Sequence, residues 1–124
     1  ASCFTAVKQK YRNIFCTHLN EEAKSLYALT LTEPTALVFG NEHAGVTQEA
    51  LSYCNGNFII PQAGIIQSLN ISVACAISIY EAYRQKEKAG HYAQRKITTA
   101  EQQQLLTHWR IWNFDQSQPK EQQD

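Results

Sequence analysis

The sequence predicts an α/β domain in which helices cover both faces of a parallel sheet. Three short apolar runs, at residues 13–19, 36–40 and 58–61, alternate with helical patterns. The runs are largely continuous instead of alternating with polar residues, which is typical of strands buried on both faces of a parallel sheet. Doubly wound sheets usually have five or six strands. We therefore expect only part of such a sheet, incomplete at its N-terminal side.

The first half of the chain alternates helix and strand. In the first helix, Phe4, Val7 and Tyr11 fall on one face. Thr47 is a natural N-cap for the second helix. The predicted elements are a helix at 2–12, a strand at 13–19, a connection at 20–35, a strand at 36–40, a loop at 41–46 and a helix at 48–53.

The longest element is a helix predicted over residues 70–88, after the third strand. Its first half is apolar nearly all round, which predicts burial on several sides, whereas its charged second half is expected to emerge into solvent. Gly90 is expected to end it. After a linker, Thr98 or Thr99 can cap a last helix that reaches about Asn113, before a polar tail.

The positive charge is concentrated after the apolar centre of the chain. The net charge is zero, yet no Lys or Arg occurs from Ser25 to Tyr83. A polyanion would therefore meet the segment that follows, although a solvated helix end is the alternative interpretation. The candidate RNA-binding residues are Arg84, Lys86, Lys88, Arg95 and Lys96.

Several classes of protein are not supported by the composition. The four cysteines form no C-x-x-C pair, which favours free thiols in a reducing cytosol over a disulfide framework or a zinc site. No signal peptide or run of about 20 apolar residues is present, so we expect a cytoplasmic protein without a membrane span. His43 has no partner at metal-ligand spacing, and no metal is expected. Motifs for dinucleotide, P-loop and G-x-S-x-G hydrolase chemistry are missing.

Two loops carry the residues that could support chemistry, because ligands bind at the carboxyl ends of strands in open α/β sheets. The first, at 39–45, has glycines at both ends and Glu42 between them. The second, at 57–70, runs from a strand through Gly64 to Ser68 and Asn70. Taken singly, Glu42 suits a solvated turn, and the Ser and Asn suit helix caps.

The two loops together, in this order and spacing, resemble motifs 2 and 3 of the SPOUT superfamily of RNA methyltransferases. The stretches are LVFGNEHAGVTQEAL at 37–51 and FIIPQAGIIQSLNISVACAISIYEAYRQ at 58–85. The likeness spans residues 13–106 and is strongest to the TrmH group, which methylates the ribose 2′-OH of guanosine 18 in the D-loop of tRNA. It implies a deep trefoil knot. It also implies that residues 1–96 are the C-terminal part of a methyltransferase domain and 97–124 a helical extension.

The resemblance further implies S-adenosylmethionine as cofactor, tRNA as substrate and a homodimer whose site is built across two subunits. Three residues match those that shape the catalytic pocket: Glu42, Ser68 and Asn70. The small departures from the motifs are His43, and Gln62 where a methionine is common. The implied cofactor contacts are Thr17, Gly40, Asn41, Glu42, Ile60, Gly64, Ile65 and Leu69.

One family motif is missing from the sequence. The first motif, N-x-x-A-x-x-R, supplies the arginine that activates the ribose hydroxyl, and none of the four arginines lies in such a context. We therefore expect a C-terminal piece of a longer or trimmed enzyme, holding the cofactor half of the site and inactive by itself. The alternatives are a ribosomal RNA 2′-O-methyltransferase of the same superfamily and a non-catalytic RNA-binding or dimerisation module.

Overall fold

The computed structural model describes residues 2–41, 45–65 and 68–110. The chain divides into two compact units, Ala1–Tyr92 and Ala93–Asp124. The elements are α1 (Ser2–Lys10), β1 (Asn13–Thr17), β2 (Lys24–Ser25), a 3₁₀ helix (Leu26–Ala28), β3 (Thr35–Val38), α2 (Gln48–Tyr53), β4 (Gly56–Ile59), α3 (Ile71–Lys88) and α4 (Thr99–His108).

The described strands form one four-stranded parallel sheet in the order β2-β4-β1-β3. In the register, Cys16 of β1 lies opposite Val38 of β3 and opposite Asn57 of β4. The predicted partial parallel sheet is confirmed. The strand β2 was not predicted, because its two residues, Lys24 and Ser25, carry no apolar run. β3 ends the sheet in the described part of the chain and is half-buried throughout, not fully buried as expected.

The hydrophobic core lies between the sheet, the 3₁₀ segment and α3. Phe58 of β4 is fully buried and packs with Leu26, Leu29 and Leu31 of the long connection. Ile77 of α3 lies against the same cluster. The connection that the sequence left without structure therefore supplies most of the buried side chains of this core, because its leucines recur where the chain turns back onto the sheet.

The opposite face of the sheet carries α1 and α2. Phe4 of α1 stacks on Tyr53 of α2, with ring centroids 5.0 Å apart, as the apolar face predicted for α1 suggests. Cys16, fully buried, points to this side and its Sγ donates to Oδ1 of Asn57 at 3.0 Å. Burial, and then the neighbouring Cys54, raises the pKa of the Cys16 thiol to about 12. The thiol therefore stays protonated and serves as a donor.

The expectation that the first half of α3 is buried on several sides is wrong for this chain. Ile79 is 67% exposed and Tyr80 is 72% exposed, and Val73 is exposed as well. The reason is that the connection and the sheet cover only one stripe of the helix, which leaves the other apolar side chains in solvent. Asn70 caps the helix, with Oδ1 accepting from the backbone N–H of Ser72 at 2.9 Å.

The end of α3 and the start of α4 follow the predicted signals. Gly90, at φ +79°, follows α3, and the N–H of His91 donates to the carbonyl of Lys86 at 2.9 Å. Thr98 caps α4 in a reciprocal box with Glu101. α4 ends at His108, with Trp109 as its C-cap, so the predicted end at about Asn113 is wrong; Arg110, at φ +56°, has already left the helical conformation. Trp112 and the polar tail lie outside the described residues. No helix in the described ranges is long and apolar enough to cross a membrane.

Candidate functional site at the carboxyl ends of the strands

The carboxyl ends of β1 and β3 are joined by a hydrogen bond. The backbone N–H of Gly40, two residues after β3, donates to Oγ1 of Thr17 at the end of β1, at 3.2 Å. Next to them, the backbone N–H of His18 donates to the carbonyl of Phe58 in β4 at 3.3 Å. Because β1 lies between β3 and β4, three loops leave the sheet side by side at this edge.

The loop after β3 turns tightly, and Gly40 is required for this turn. A Cβ at this position would lie 2.4 Å from the carbonyl carbon of Gly45 and 2.6 Å from the nitrogen of Val46, both backbone atoms. Asn41 and Gly45 exchange two backbone hydrogen bonds, at 3.2 and 3.1 Å, which close the loop. Glu42, the predicted carboxylate, lies between them and outside the described residues.

The loop after β4 is open and presents apolar side chains. Gly64 has φ +105°, a conformation that L side chains rarely adopt, and space surrounds it. Ile65 is 97% exposed, while Ile60 and Leu69 are half-buried. Ser68 is exposed and lies before the helix, so the capping role falls to Asn70.

The structure therefore brings part of the predicted site together. Thr17, Gly40 and Ile60 lie at neighbouring strand ends, and Asn41 follows directly. Gly64, Ile65, Ser68 and the residues up to the cap of α3 belong to the third loop. The described residues of the loops after β3 and β4 bear no ionisable side chain. Backbone amides, a hydroxyl and apolar surface suit a ligand with a flat, neutral heterocycle.

The five predicted RNA-binding residues are divided between the two compact units. Arg84, Lys86 and Lys88 lie in the second half of α3, whereas Arg95 and Lys96 belong to the second compact unit. The guanidinium of Arg84 makes two hydrogen bonds of 2.8 Å to the carboxylate of Glu81. These bonds lower the pKa of the Glu81 carboxyl, against the opposing effect of burial. Arg84 thus has a structural partner that was not predicted.

A buried polar cluster on α3 was missed by sequence reasoning. Glu81 is only 6% exposed and also accepts from Nε2 of Gln85 at 2.9 Å. The amide of Gln85 donates to the carbonyl of Leu29 at 3.0 Å and accepts from the N–H of Leu31 at 2.8 Å. The pattern E-x-x-R-Q on one helix face is the signal that could have indicated it.

No three His, Cys, Asp or Glu side chains are grouped as a metal site within the described ranges. The groups described at the strand ends are backbone amides, the hydroxyls of Thr17 and Ser68, and apolar side chains. The two glycines of the tight loop shape it differently: Gly40 lets the backbone approach itself closely, and Gly45 adopts φ +66°.

Several RNA methyltransferases resemble this chain in sequence and in the arrangement of their strands. The tRNA (guanosine(18)-2′-O)-methyltransferase of Escherichia coli K12 is 42% identical over 102 residues, which cover 81% of this chain and 44% of that protein. The crystal structure of the Aquifex aeolicus TrmH/SpoU tRNA modifying enzyme matches with a TM-score of 0.73 and 36% identity, covering 87% of this chain and 55% of the other.

A third match has a cofactor in its crystal. The AdoMet-bound rRNA methyltransferase from Sinorhizobium meliloti has a TM-score of 0.53 and 33% identity, covering 58% of this chain and 28% of that one. The chain thus spans about half the length of the E. coli and A. aeolicus relatives. The family described as "SpoU rRNA Methylase family" matches residues 1–80, which include all four strands and the start of α3. The chain belongs to the SpoU rRNA Methylase family.

Proposed function

We propose that the chain forms the cofactor-binding part of an S-adenosylmethionine-dependent methyltransferase that acts on a ribose 2′-OH of tRNA, at guanosine 18 of the D-loop. The observation that carries the proposal is the hydrogen bond from Gly40 to Thr17, which joins two loops of the motif pattern beside the third. The relatives in E. coli and A. aeolicus support the substrate class. The trefoil knot of this superfamily is part of the same proposal.

The residues present fit such a cofactor by their chemistry. S-adenosylmethionine supplies an electrophilic methyl group on a sulfonium sulfur. Ile60, Ile65 and Leu69 would enclose the adenine, while backbone groups at Gly40 and Asn41 would hold polar atoms of the ligand. Glu42, Ser68 and Asn70 are proposed to shape the pocket in which the ribose hydroxyl meets the methyl group.

The cofactor proposal is tested by calorimetry with S-adenosylhomocysteine on the unchanged protein and on two glycine variants. Gly40→Ala places a Cβ within 2.4 Å of backbone and should reduce the affinity at least tenfold, because the tight loop must open. Gly56→Ala is the matched control, since its Cβ would meet only the Phe15 ring, at 3.4 Å. Equal binding by both variants would contradict the assigned loop.

The substrate is proposed to be tRNA, with ribosomal RNA as the second candidate. A match to an rRNA methyltransferase from S. meliloti favours the second candidate, but it covers less of this chain than the tRNA-directed relatives do. The full gene product should transfer labelled methyl groups to tRNA and not to rRNA. A transcript with 2′-deoxyguanosine at position 18 should accept none. Cofactor binding without transfer to any RNA would instead favour a non-catalytic module.

A homodimer completes the proposal. The occupant proposed for the exposed apolar side of α3 is a second copy of the chain, as in the expected site built across two subunits. The shallow groove there, of about 410 Å³, is lined by Tyr27, Ala76, Ile77, Tyr80 and Glu81. Several large apolar side chains of one helix in solvent are typical of an association surface. Light scattering that finds only monomers across the micromolar range would contradict this part.

A further inference from the structure

A groove of about 500 Å³ lies at the amino ends of the strands, on the opposite edge of the sheet from the proposed cofactor loops. The end of α1, the turn into β1 and the residue before β4 form it. Its lining residues are Lys8, Gln9, Lys10, Tyr11, Arg12 and Asn55. No function in the proposal above uses any of them.

The groove is positively charged. Lys8, Lys10 and Arg12 are all exposed, and no carboxylate lines the groove among the residues that the structure describes. Beside the groove, Oε2 of Glu33 accepts from Nδ2 of Asn13, the residue after Arg12, at 3.3 Å. Three cations converging on one concave surface create a potential that attracts an anion.

Two features give the groove a defined shape. Nζ of Lys8 lies 5.4 Å from the ring centre of Tyr53, and Nζ of Lys10 lies 6.0 Å from that of Tyr11, so aromatic rings support both ammonium groups. Asn55 is anchored to β1: its Oδ1 accepts from the N–H of Ile14 at 2.8 Å, and its backbone N–H donates to the carbonyl of Ile14 at 2.7 Å. Because Oδ1 is held in this way, the orientation of the side chain is fixed, and Nδ2 of Asn55 is a neutral hydrogen-bond donor.

We propose that this groove binds backbone phosphates of the substrate RNA, as a contact separate from the cofactor site. The inference rests on the proposed function, because RNA is the polyanion that such an enzyme meets. Cations, a neutral amide donor and an aromatic side chain are the groups that contact phosphate and sugar without reading sequence. β1 has five residues and spans about 17 Å. An RNA that reaches both edges must therefore extend well beyond its target nucleotide.

The test compares two variants that each lose three positive charges. The groove variant carries Lys8→Gln, Lys10→Gln and Arg12→Gln, and the control carries Lys24→Gln, Arg110→Gln and Lys120→Gln. Binding of an unmodified tRNA transcript is measured between 50 and 200 mM salt, about the range over which phosphate contacts weaken most visibly. The groove variant should bind at least tenfold more weakly, and its log–log salt slope should fall by about 2. The control should change the slope by much less.

Equal effects of the two variants would overturn the proposal, since the loss would then follow from net charge alone. The single variants Lys8→Gln and Arg12→Gln, each with a smaller reduction of the slope, guard against a folding defect in the triple variant. Inorganic phosphate provides a further arm. Saturable binding of free phosphate in the groove, with unchanged affinity for RNA, would assign the site to a small anion and overturn the RNA contact.

The outcome is separable from that of the proposed function. The groove variant should bind S-adenosylhomocysteine as the unchanged protein does, because the groove lies at the other edge of the sheet. Cofactor binding with an unaltered RNA slope would refute the groove and leave the methyltransferase proposal in place. Absence of cofactor binding in the unchanged protein would refute the methyltransferase proposal, whatever the salt dependence of RNA binding shows.

Discussion

The two halves of α3 reverse the relation between polarity and burial. In the first half, apolar residues such as Ile79 and Tyr80 stand largely in solvent. In the second half, which is rich in charge, Glu81 is nearly inaccessible and Gln85 reaches into the chain to hold the backbone at Leu29 and Leu31. In one helix, the apolar segment therefore has no described packing partner for its exposed side chains, whereas the buried polar side chains of the other segment all have hydrogen-bond partners.

The difference shows that burial on a helix depends on which elements are near it. The connection between β2 and β3 passes beside the second half, and its turn leaves backbone groups that need partners. Gln85 supplies both a donor and an acceptor to it, and Glu81 fixes the amide of Gln85 while pairing with Arg84. A buried polar group is tolerated here because each of its atoms has a hydrogen-bond partner.

The largest expected effect on stability comes from Gln85→Ala. The substitution removes three hydrogen bonds and leaves the N–H of Leu31, a residue 2% exposed, without its partner. The free energy of unfolding should fall by about 3 kcal/mol, combining lost hydrogen bonds with an unsatisfied buried donor. Urea denaturation followed by circular dichroism measures the change.

Lys88→Gln, on the same helix but exposed, is the control for this substitution and should stay within about 0.5 kcal/mol of the unchanged protein. Equal stability of the Gln85→Ala variant and the unchanged protein would mean that water replaces the side chain at the turn. Substitutions in the second half of α3 would then cost no more stability than substitutions in the first half.

A smaller effect, with a characteristic pH dependence, is expected from Glu81→Gln. Hydrogen bonds from Arg84 lower the pKa of Glu81 below its ordinary value of 4.5. The carboxylate therefore stabilises the folded state fully above about pH 4.5, and this contribution is lost as the pH falls through the folded-state pKa. At pH 7 the variant should be less stable by about 1 to 2 kcal/mol, discounted because Arg84 is largely exposed.

The comparison over pH is the measurement that isolates the charge of Glu81. Thermal unfolding of the unchanged protein and of Glu81→Gln should give curves that converge as the pH is lowered from 7 towards 3. Glu101→Gln, in the exposed capping box of α4, tests whether convergence is special to the buried position, since hydrogen bonds with Thr98 lower that pKa as well. A constant difference between the unchanged protein and the Glu81→Gln variant at every pH would attribute the loss to packing.

The candidate loops were predicted well from sequence because their signals are local. Gly40 and Gly64 marked the two loops, and the structure gives the first a steric reason and the second a positive φ. The hydrogen bond from Gly40 to Thr17 could not be predicted, because it joins residues 23 positions apart through strand order. The roles of Glu42 and the other pocket residues stay predictions.

The fold was predicted where the hydrophobic periodicity of the sequence is strong. It was missed where the contacting residues are far apart in the sequence. α3 and its stop at Gly90 follow the pattern of the sequence, as does the parallel sheet. The core leucines 26, 29 and 31 lie in a segment without helical or strand period, so nothing local marked them as buried. Glu81 was placed in solvent for the same reason, since its partner Gln85 acts on a turn more than fifty residues away.

The smallest effect on the stability of a single chain is expected from Ile79→Gln, in the exposed half of α3. Because Ile79 is 67% exposed and Gln is a good helix former, unfolding at submicromolar concentration should change by less than about 0.5 kcal/mol. Self-association should weaken markedly, however, if the apolar side binds a second copy. The apparent stability of the unchanged protein should then rise with concentration, and that of the variant should not. Destabilisation of dilute Ile79→Gln by about 2 kcal/mol or more would mean that the two halves of the helix are equally packed within one chain.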